Sequence, residues 1–381
     1  MTAIRLRGPG DVLASLPYQL GYHPQDSIVV MALRDGAVDL VERLDLPAAP
    51  DAADASAALV APLVREGFDS VLLVGFESIA GSADPVMKAL SSDLTRLRIP
   101  SLDQLVVRDG RWFRPDCTTG CCPPEGMPVP EASATPAVAD YVGLGVAPLA
   151  RRADLAEAVR ADPVISEEVS VELRRLGTVA QPPLVGSAPS ASSAPCAPSV
   201  QRLAWLSLWA AICHEAVDRP VEEILGATEV AELVRSLADV QLRDAIVAWL
   251  CPGSLPLATL DEDLVDALLS TLGPLPDEDA GIEVARSGRR LLVRLEWLAR
   301  AVPDPHGTPL LTVLANLAWH LGDGTLARVA LDRALAHDPD YRLAILLDRM
   351  VDLGFRPSSA RERVRTVQFS DVRRSKGRGL V

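Results

Sequence analysis

The sequence predicts an α/β N-terminal domain with a mixed, partly parallel sheet, followed by an all-α C-terminal domain. Three observations predict it. In the first half, apolar and β-branched runs, SIVVMAL at 27–33 and DSVLLVGF at 69–76, alternate with stretches of helical period. From Val200 to Gly354 the period is helical throughout, with turns at Arg219-Pro220, Cys251-Pro252-Gly253, Gly273-Pro274 and Asp304-Pro305. Between the halves, residues 181–199 (QPPLVGSAPSASSAPCAPS) are too poor in apolar surface to offset their ordering entropy, which makes them a flexible linker. The length agrees, because 381 residues exceed the roughly 250–300 at which one core stops growing.

Each element follows from its residues. DVLASLPYQL (11–20) has apolar side chains at helical spacing with Asp11 as its cap, and the chain breaks at Gly21 and Pro24. The strand at 27–33 meets Asp35-Gly36 and then the alternating AVDLVERL, a hairpin signal. An Ala-rich helix runs to about Glu66, the strand at 69–76 follows, and then a helix over 84–98. LDQLVV, Asp109-Gly110 and RWFR form a second hairpin, and a helical stretch runs from Pro148 to Leu176. Strands interleaved with crossover helices give the parallel part of the sheet, and the hairpins make it mixed. The domains expected are 1–178, a linker at 179–199, a helical domain at 200–356 and a basic, disordered tail at 357–381.

Within the helical half, Leu314, Ala315, Ala327, Ala334 and Pro339 fall at the small, apolar and proline positions of one tetratricopeptide repeat, which the segment resembles. The repeat's first-helix Trp is replaced by Leu311. Small residues let two antiparallel helices approach closely, and YRLAILLDRMVDLG would stack on them. The tryptophans at 205, 209, 249, 297 and 319 stand at core-like positions.

Composition limits the partners. A formal charge of -14 repels phosphate backbones, so nucleic acid is not expected to bind except through the tail. That tail has basic residues at 361, 363, 365, 373, 374, 376 and 378 against acids at 362 and 371. No run reaches the roughly 18 apolar residues of a membrane helix, and MTAIRLRGPGD has no apolar signal core, so a cytoplasmic protein without a membrane partner is expected. A reducing compartment leaves the six cysteines to metal, redox or buried-thiol roles.

Two segments carry candidate chemistry. In CTTGCCPP, the thiols of Cys117, Cys121 and Cys122 are soft ligands that could hold zinc or exchange disulfides. A tetrahedral zinc needs a fourth ligand, such as His23 brought in by folding; packed, incidental thiols are the alternative. In GYHPQDS, His23 and Asp26 could act as an acid/base or ligand pair with Ser27 as a nearby hydroxyl. Equally, Pro24 fixes a turn there while Asp26 and Ser27 bond local backbone. The ESIAGS loop lies beyond a strand end but lacks the glycine spacing of a phosphate loop, as does Gly143-Leu144-Gly145. His214-Glu215 opens a zincin-like motif that ends in Asp218 rather than His.

PYQLGYHPQDSIVV (17–30) and RWFRPDCTTGCCPPEGMPVP (111–130) together resemble the actinobacterial family called domain of unknown function 4192. Leu20 to Ser27, then Arg43 with Asp45-Leu46-Pro47, match its first pattern; Trp112, Cys117, Cys121 to Pro123 and Glu125 to Pro128 match its second. The resemblance spans most of the chain and implies an architecture without an established activity. The candidate ligand or metal site is therefore His23, Asp26, Ser27, Arg43, Trp112, Cys117, Cys121, Cys122 and Glu125. The leading expectation is a noncatalytic binding or scaffold protein with a helical surface for a protein partner. A thiol- or metal-dependent enzyme or redox sensor centred on CTTGCC is the alternative.

Overall fold

A computed structural model of the chain describes residues 4–117, 120, 122–143, 145–177, 200–214, 219–276, 282–355 and 367–369. It divides into a sheet unit, residues 1–154 with 353–355 and 360–381, and a helical unit, residues 155–352 with 356–359. The expected boundary at 178 thus falls earlier, and the expected linker lies outside the described residues.

In the sheet unit the elements are β1 (Ile4–Leu6), α1 (Pro9–Leu20), β2 (Ser27–Arg34), β3 (Ala37–Asp45), α2 (Ala52–Glu66), β4 (Ser70–Phe76) and α3 (Asp84–Leu97). β5 (Ser101–Arg108), β6 (Arg111–Phe113), β7 (Met127–Pro128), α4 (Pro136–Gly143) and, from the far end of the chain, β8 (Val367–Phe369) complete it. The strand order is β1-β8-β3-β2-β4-β5-β6-β7. β4 and β5 are parallel, joined by the crossover helix α3, and β1 and β8 are parallel; the remaining pairs are antiparallel. The mixed, partly parallel sheet is the one the hairpin and crossover signals predict.

β2 and β4 lie at its centre and are apolar on both faces. Ile28, Val30, Ala32, Val71 and Leu73 pack against Leu59, Leu63, Val86, Met87 and Leu90 of α2 and α3. Val29, Met31, Leu33, Leu72 and Val74 point the other way and are equally buried. Arg43, opposite Val29 in the register, lies over the ring of Tyr22, which places the end of α1 on that second face. At Gly75 a Cβ would stand 2.9 Å from that of Ala83, so the start of α3 needs a glycine there.

Two local expectations change. α1 starts at Pro9, and Asp11, rather than capping it, sits in its first turn and accepts a bond from Arg7 N at 2.9 Å. The tail, expected to be disordered, contributes β8, which binds β1 and touches β3 through Ala37 and Gln368. Its basic residues lie outside the described residues.

α5 (Arg152–Ala158) crosses the boundary, and the helical unit continues with α6 (Pro163–Arg175), α7 (Val200–His214), α8 (Ala227–Ser236), α9 (Val240–Leu250) and α10 (Glu262–Leu272). α11 (Ile282–Ala301), α12 (Asp304–His320), α13 (Gly324–His337) and α14 (Arg342–Asp352) follow. α12 and α13 form a close hairpin in which Leu314, Ala315, Ala327 and Ala334 are wholly buried. Trp209 and Trp249 are buried and donate to Ser236 Oγ and Gly273 O at 3.0 and 3.1 Å. No helix among the described residues is long and apolar enough to cross a membrane.

Burial and the nearby Asp323 carboxylate hold the Glu296 carboxyl up at about 7 against an ordinary 4.5, with Arg289 opposing. A carboxyl raised in the folded state stabilises it at low pH, and that stability is lost as pH rises through the folded value. The helical unit, followed by its tryptophans, is therefore expected to lose up to about 3 kcal/mol of stability between roughly pH 4.5 and 7 from this group. Glu296→Gln flattens that dependence, leaving the part due to Asp323, which burial also raises. Separately, ending the chain at Arg365 removes β8; hydrogen exchange in a peptide covering β1 is expected to rise roughly tenfold or more, with β4 unchanged.

Candidate functional site

The first motif lies at the end of the sheet where β2 begins and β4 finishes. Asp45, Ser27, Phe76, Val107, Trp112 and Met127 form one register row across six strands. Gly21, at φ 81°, ends α1, and Tyr22 then bridges to Leu149, whose carbonyl accepts His23 N at 3.0 Å. Pro24 is buried and the His23 side chain is exposed. Asp26, at φ 37°, turns the chain into β2. Its carboxylate accepts Ser78 N at 2.7 Å and Ser78 Oγ at 2.8 Å, while its carbonyl accepts Leu46 N at 2.8 Å.

Arg43 pairs with Asp45 at 2.5 Å, donates to Gln25 O at 3.3 Å and lies 6.0 Å from the centre of the Tyr22 ring. Its Nε and the wholly buried Ser27 hydroxyl have no protein partner among the described residues. The GYHPQDS residues are thus brought together with Arg43, and the partner of Asp26 is Ser78 rather than His23. The bonds that hold the motif are long-range, and the local backbone bond expected of the Ser27 hydroxyl is not made among the described residues.

Beside it stands a pair that sequence reasoning missed. Glu77, buried, accepts Arg108 Nη1 at 2.6 Å and Ala83 N at 3.1 Å, the latter at the start of α3. Arg108 also lies over the Phe113 ring. The available signal was an acid directly after a buried strand and shortly before a helix, in the same ESIAGS loop.

The second motif occupies the connection from β6 to β7. Trp112 is buried in the register row. Arg111 donates to the carbonyls of Glu125 and Gly126 at 2.7 and 2.8 Å, so Glu125 contributes its backbone while its side chain is exposed. Gly126, at φ 73°, is required because the Phe113 ring lies 2.6 Å from where a Cβ would stand. Arg114 grips buried Asp103 of β5 with two parallel bonds, Nε to Oδ1 at 2.8 Å and Nη2 to Oδ2 at 2.5 Å. Burial pushes the Asp103 carboxyl up despite the pull of Arg114. Burial also opposes the Arg114 charge, but Asp103, with Cys122 and Asp116 adding to it, raises the guanidinium above its ordinary value.

Cys117 and Cys122 are half-buried, Cys117 N donates to Arg114 O at 3.1 Å, and the Cys122 thiol lies in the field of Arg114. Cys121 lies outside the described residues. Among the described residues no three His, Cys, Asp or Glu side chains gather as a metal site.

The two motifs are held apart. β4 and β5 stand between Ser27 and Trp112, so three strand spacings, about 14 Å, separate those residues. From the Asp109-Gly110 turn β6 runs back along β5 to Phe113.

Asp26→Ala is expected to cost roughly 2 kcal/mol, from the lost bonds to Ser78 and a left-handed backbone that alanine disfavours. Asp26→Asn, which keeps an acceptor and tolerates that backbone, is expected to lose less than half as much in denaturant unfolding of the sheet unit.

No curated protein matches the chain, and no solved structure does. The sequence profile described as "Domain of unknown function (DUF4192)" matches residues 9–358, which takes in both motifs, the sheet unit from α1 to α4 and the helical unit through α14. The chain belongs to that family.

Proposed function

We propose that the protein is a noncatalytic binding protein whose helical unit presents a surface to a protein partner. The observation that carries this reading is the outer face of α14. Ala344 and Leu347 bury the inner face, while Leu346 and Met350, four residues apart, stand 55% and 39% exposed. Residues at that spacing share one helical stripe.

Successive helices support the same reading. α12, α13 and α14 pack in sequence, and the small residues that resemble those of a tetratricopeptide repeat are the buried ones between α12 and α13. In such an array each helix pair covers the next. After α14 the next described element is the strand β8. An amphipathic helix of a partner is the chemistry that would fit this stripe, with Leu or Met anchors at helical spacing. The groups of the first motif are consistent with a scaffold, since Asp26 and Arg43 are engaged in holding loops.

A photo-crosslinking residue at position 346 tests this, with a second at exposed Glu167 of α6 as control. The expected result is one discrete heteromeric adduct from position 346 and none from 167, with Leu346→Asp weakening capture from position 350 by about tenfold or more. Equal, diffuse labelling at both positions would remove the reading.

A further inference from the structure

We infer that the gap between β1 and β3 is a binding site for an extended peptide strand, distinct from the partner surface of the helical unit, and that the chain's own tail is its tethered, exchangeable occupant. β8 lies between two strands that do not pair with each other. It runs parallel to β1, with Ile4, Arg5 and Leu6 opposite Val367, Gln368 and Phe369. To β3 it is antiparallel, and among the described residues it meets that strand at Ala37 alone.

Both rails are held independently of it. β3 pairs with β2 from Ala37 to Asp45, and β1 packs on α1 and α4 with Leu6 wholly buried. Between them β8 supplies a three-residue length of main chain. Strand edges placed in this way accept any extended segment that offers its own N–H and C=O groups.

The occupant is held loosely. In so short a strand the few bonds gained are largely offset by the entropy lost in ordering the residues that make them. β2 and β4 bury nearly all their residues, so departure of β8 is a local opening, separate from unfolding of the sheet. The occupant is also tethered. Leu353 O accepts from Arg65 Nη2, and the Arg65 guanidinium lies 4.7 Å from the centre of the Phe355 ring, which fastens the chain before the tail to α2. Residues 356–366 alone separate Phe355 from Val367. A tether of that length keeps a detached strand at an effective concentration on the order of millimolar. An external strand enters only by outcompeting it, so the tail acts as a built-in competitor at this site.

The test supplies the strand from outside. A chain ending at Arg365 is titrated with a fluorescein-labelled peptide of residues 366–371, binding is followed by anisotropy, and hydrogen exchange reads β1. The expected result is saturable binding that restores the β1 protection of the full chain. The full chain is expected to bind the same peptide about tenfold or more weakly, because its own tail competes. Gln368→Pro in the peptide is expected to abolish binding, since Gln368 faces a strand on either side and proline cannot pair there. Equal binding to the shortened and full chains, or equal binding of the proline peptide, overturns the inference. So does an absence of binding to a shortened chain whose β4 amides keep their protection. If the shortened chain does not fold, the full chain decides: its β1 amides are expected to exchange roughly a hundredfold or more faster than those of β4, and equal protection overturns the inference.

Discussion

The sheet unit depends on one constraint: its two central strands are apolar on both faces. In β2, seven of eight residues are buried, and β4 beside it is buried from Val71 to Gly75. Such strands can be solvated on neither side, so α2 and α3 must cover one face while the end of α1 comes over the other. Polar groups are then displaced to strand ends and to the far edge of the sheet. Asp26 precedes β2, Glu77 follows β4, and Asp103 sits near the start of β5. Gly75 belongs to the same logic. The close approach of Ala83 that it permits lets Glu77 reach the first turn of α3 while binding Arg108 from β5. One side chain thereby joins β4, α3 and β5.

The three acids are used differently because their surroundings differ. Asp26 is exposed, and its two bonds to Ser78 tie the β4 exit to the β2 entry at little desolvation cost. Glu77 is buried but accepts from a cation and from a backbone N–H, so both its oxygens are satisfied. Asp103 is also buried, and its environment raises its carboxyl even with a guanidinium gripping it. Of the three, it keeps a desolvation penalty while its two bonds to Arg114 tie β5 to the chain that leaves β6.

Much of the fold was legible in the sequence because periodicity and turn chemistry are local. The runs 27–33 and 69–76 are central strands, and Asp35-Gly36 and Asp109-Gly110 turn the hairpins with both residues at positive φ, the conformation for which that pair is suited. β1, β7 and β8, each two or three residues long, are too short to show a period and form only through pairing with distant strands. The role of Asp26 was half legible. Its turn could be read from Pro24 and the helix end, but Ser78 is 52 residues away and no local pattern announces it. Arg114 was passed over for the opposite reason. Between RWF and the cysteines it reads as an ordinary surface charge, and only the cross-strand placement of Asp103 makes it a held group.

The hairpin geometry sets Ser27 of the first motif three strands from Trp112 of the second. β5 and β6 turn at Asp109-Gly110, at the same end of the sheet as Asp26 and Ser78. β6 must therefore run away from that end. Arg114, three residues before Cys117, is fixed to the sheet through Asp103. Asp26 and Ser78 tie the entry of β2 to the exit of β4, and Asp103 with Arg114 ties β5 to the chain that leaves β6.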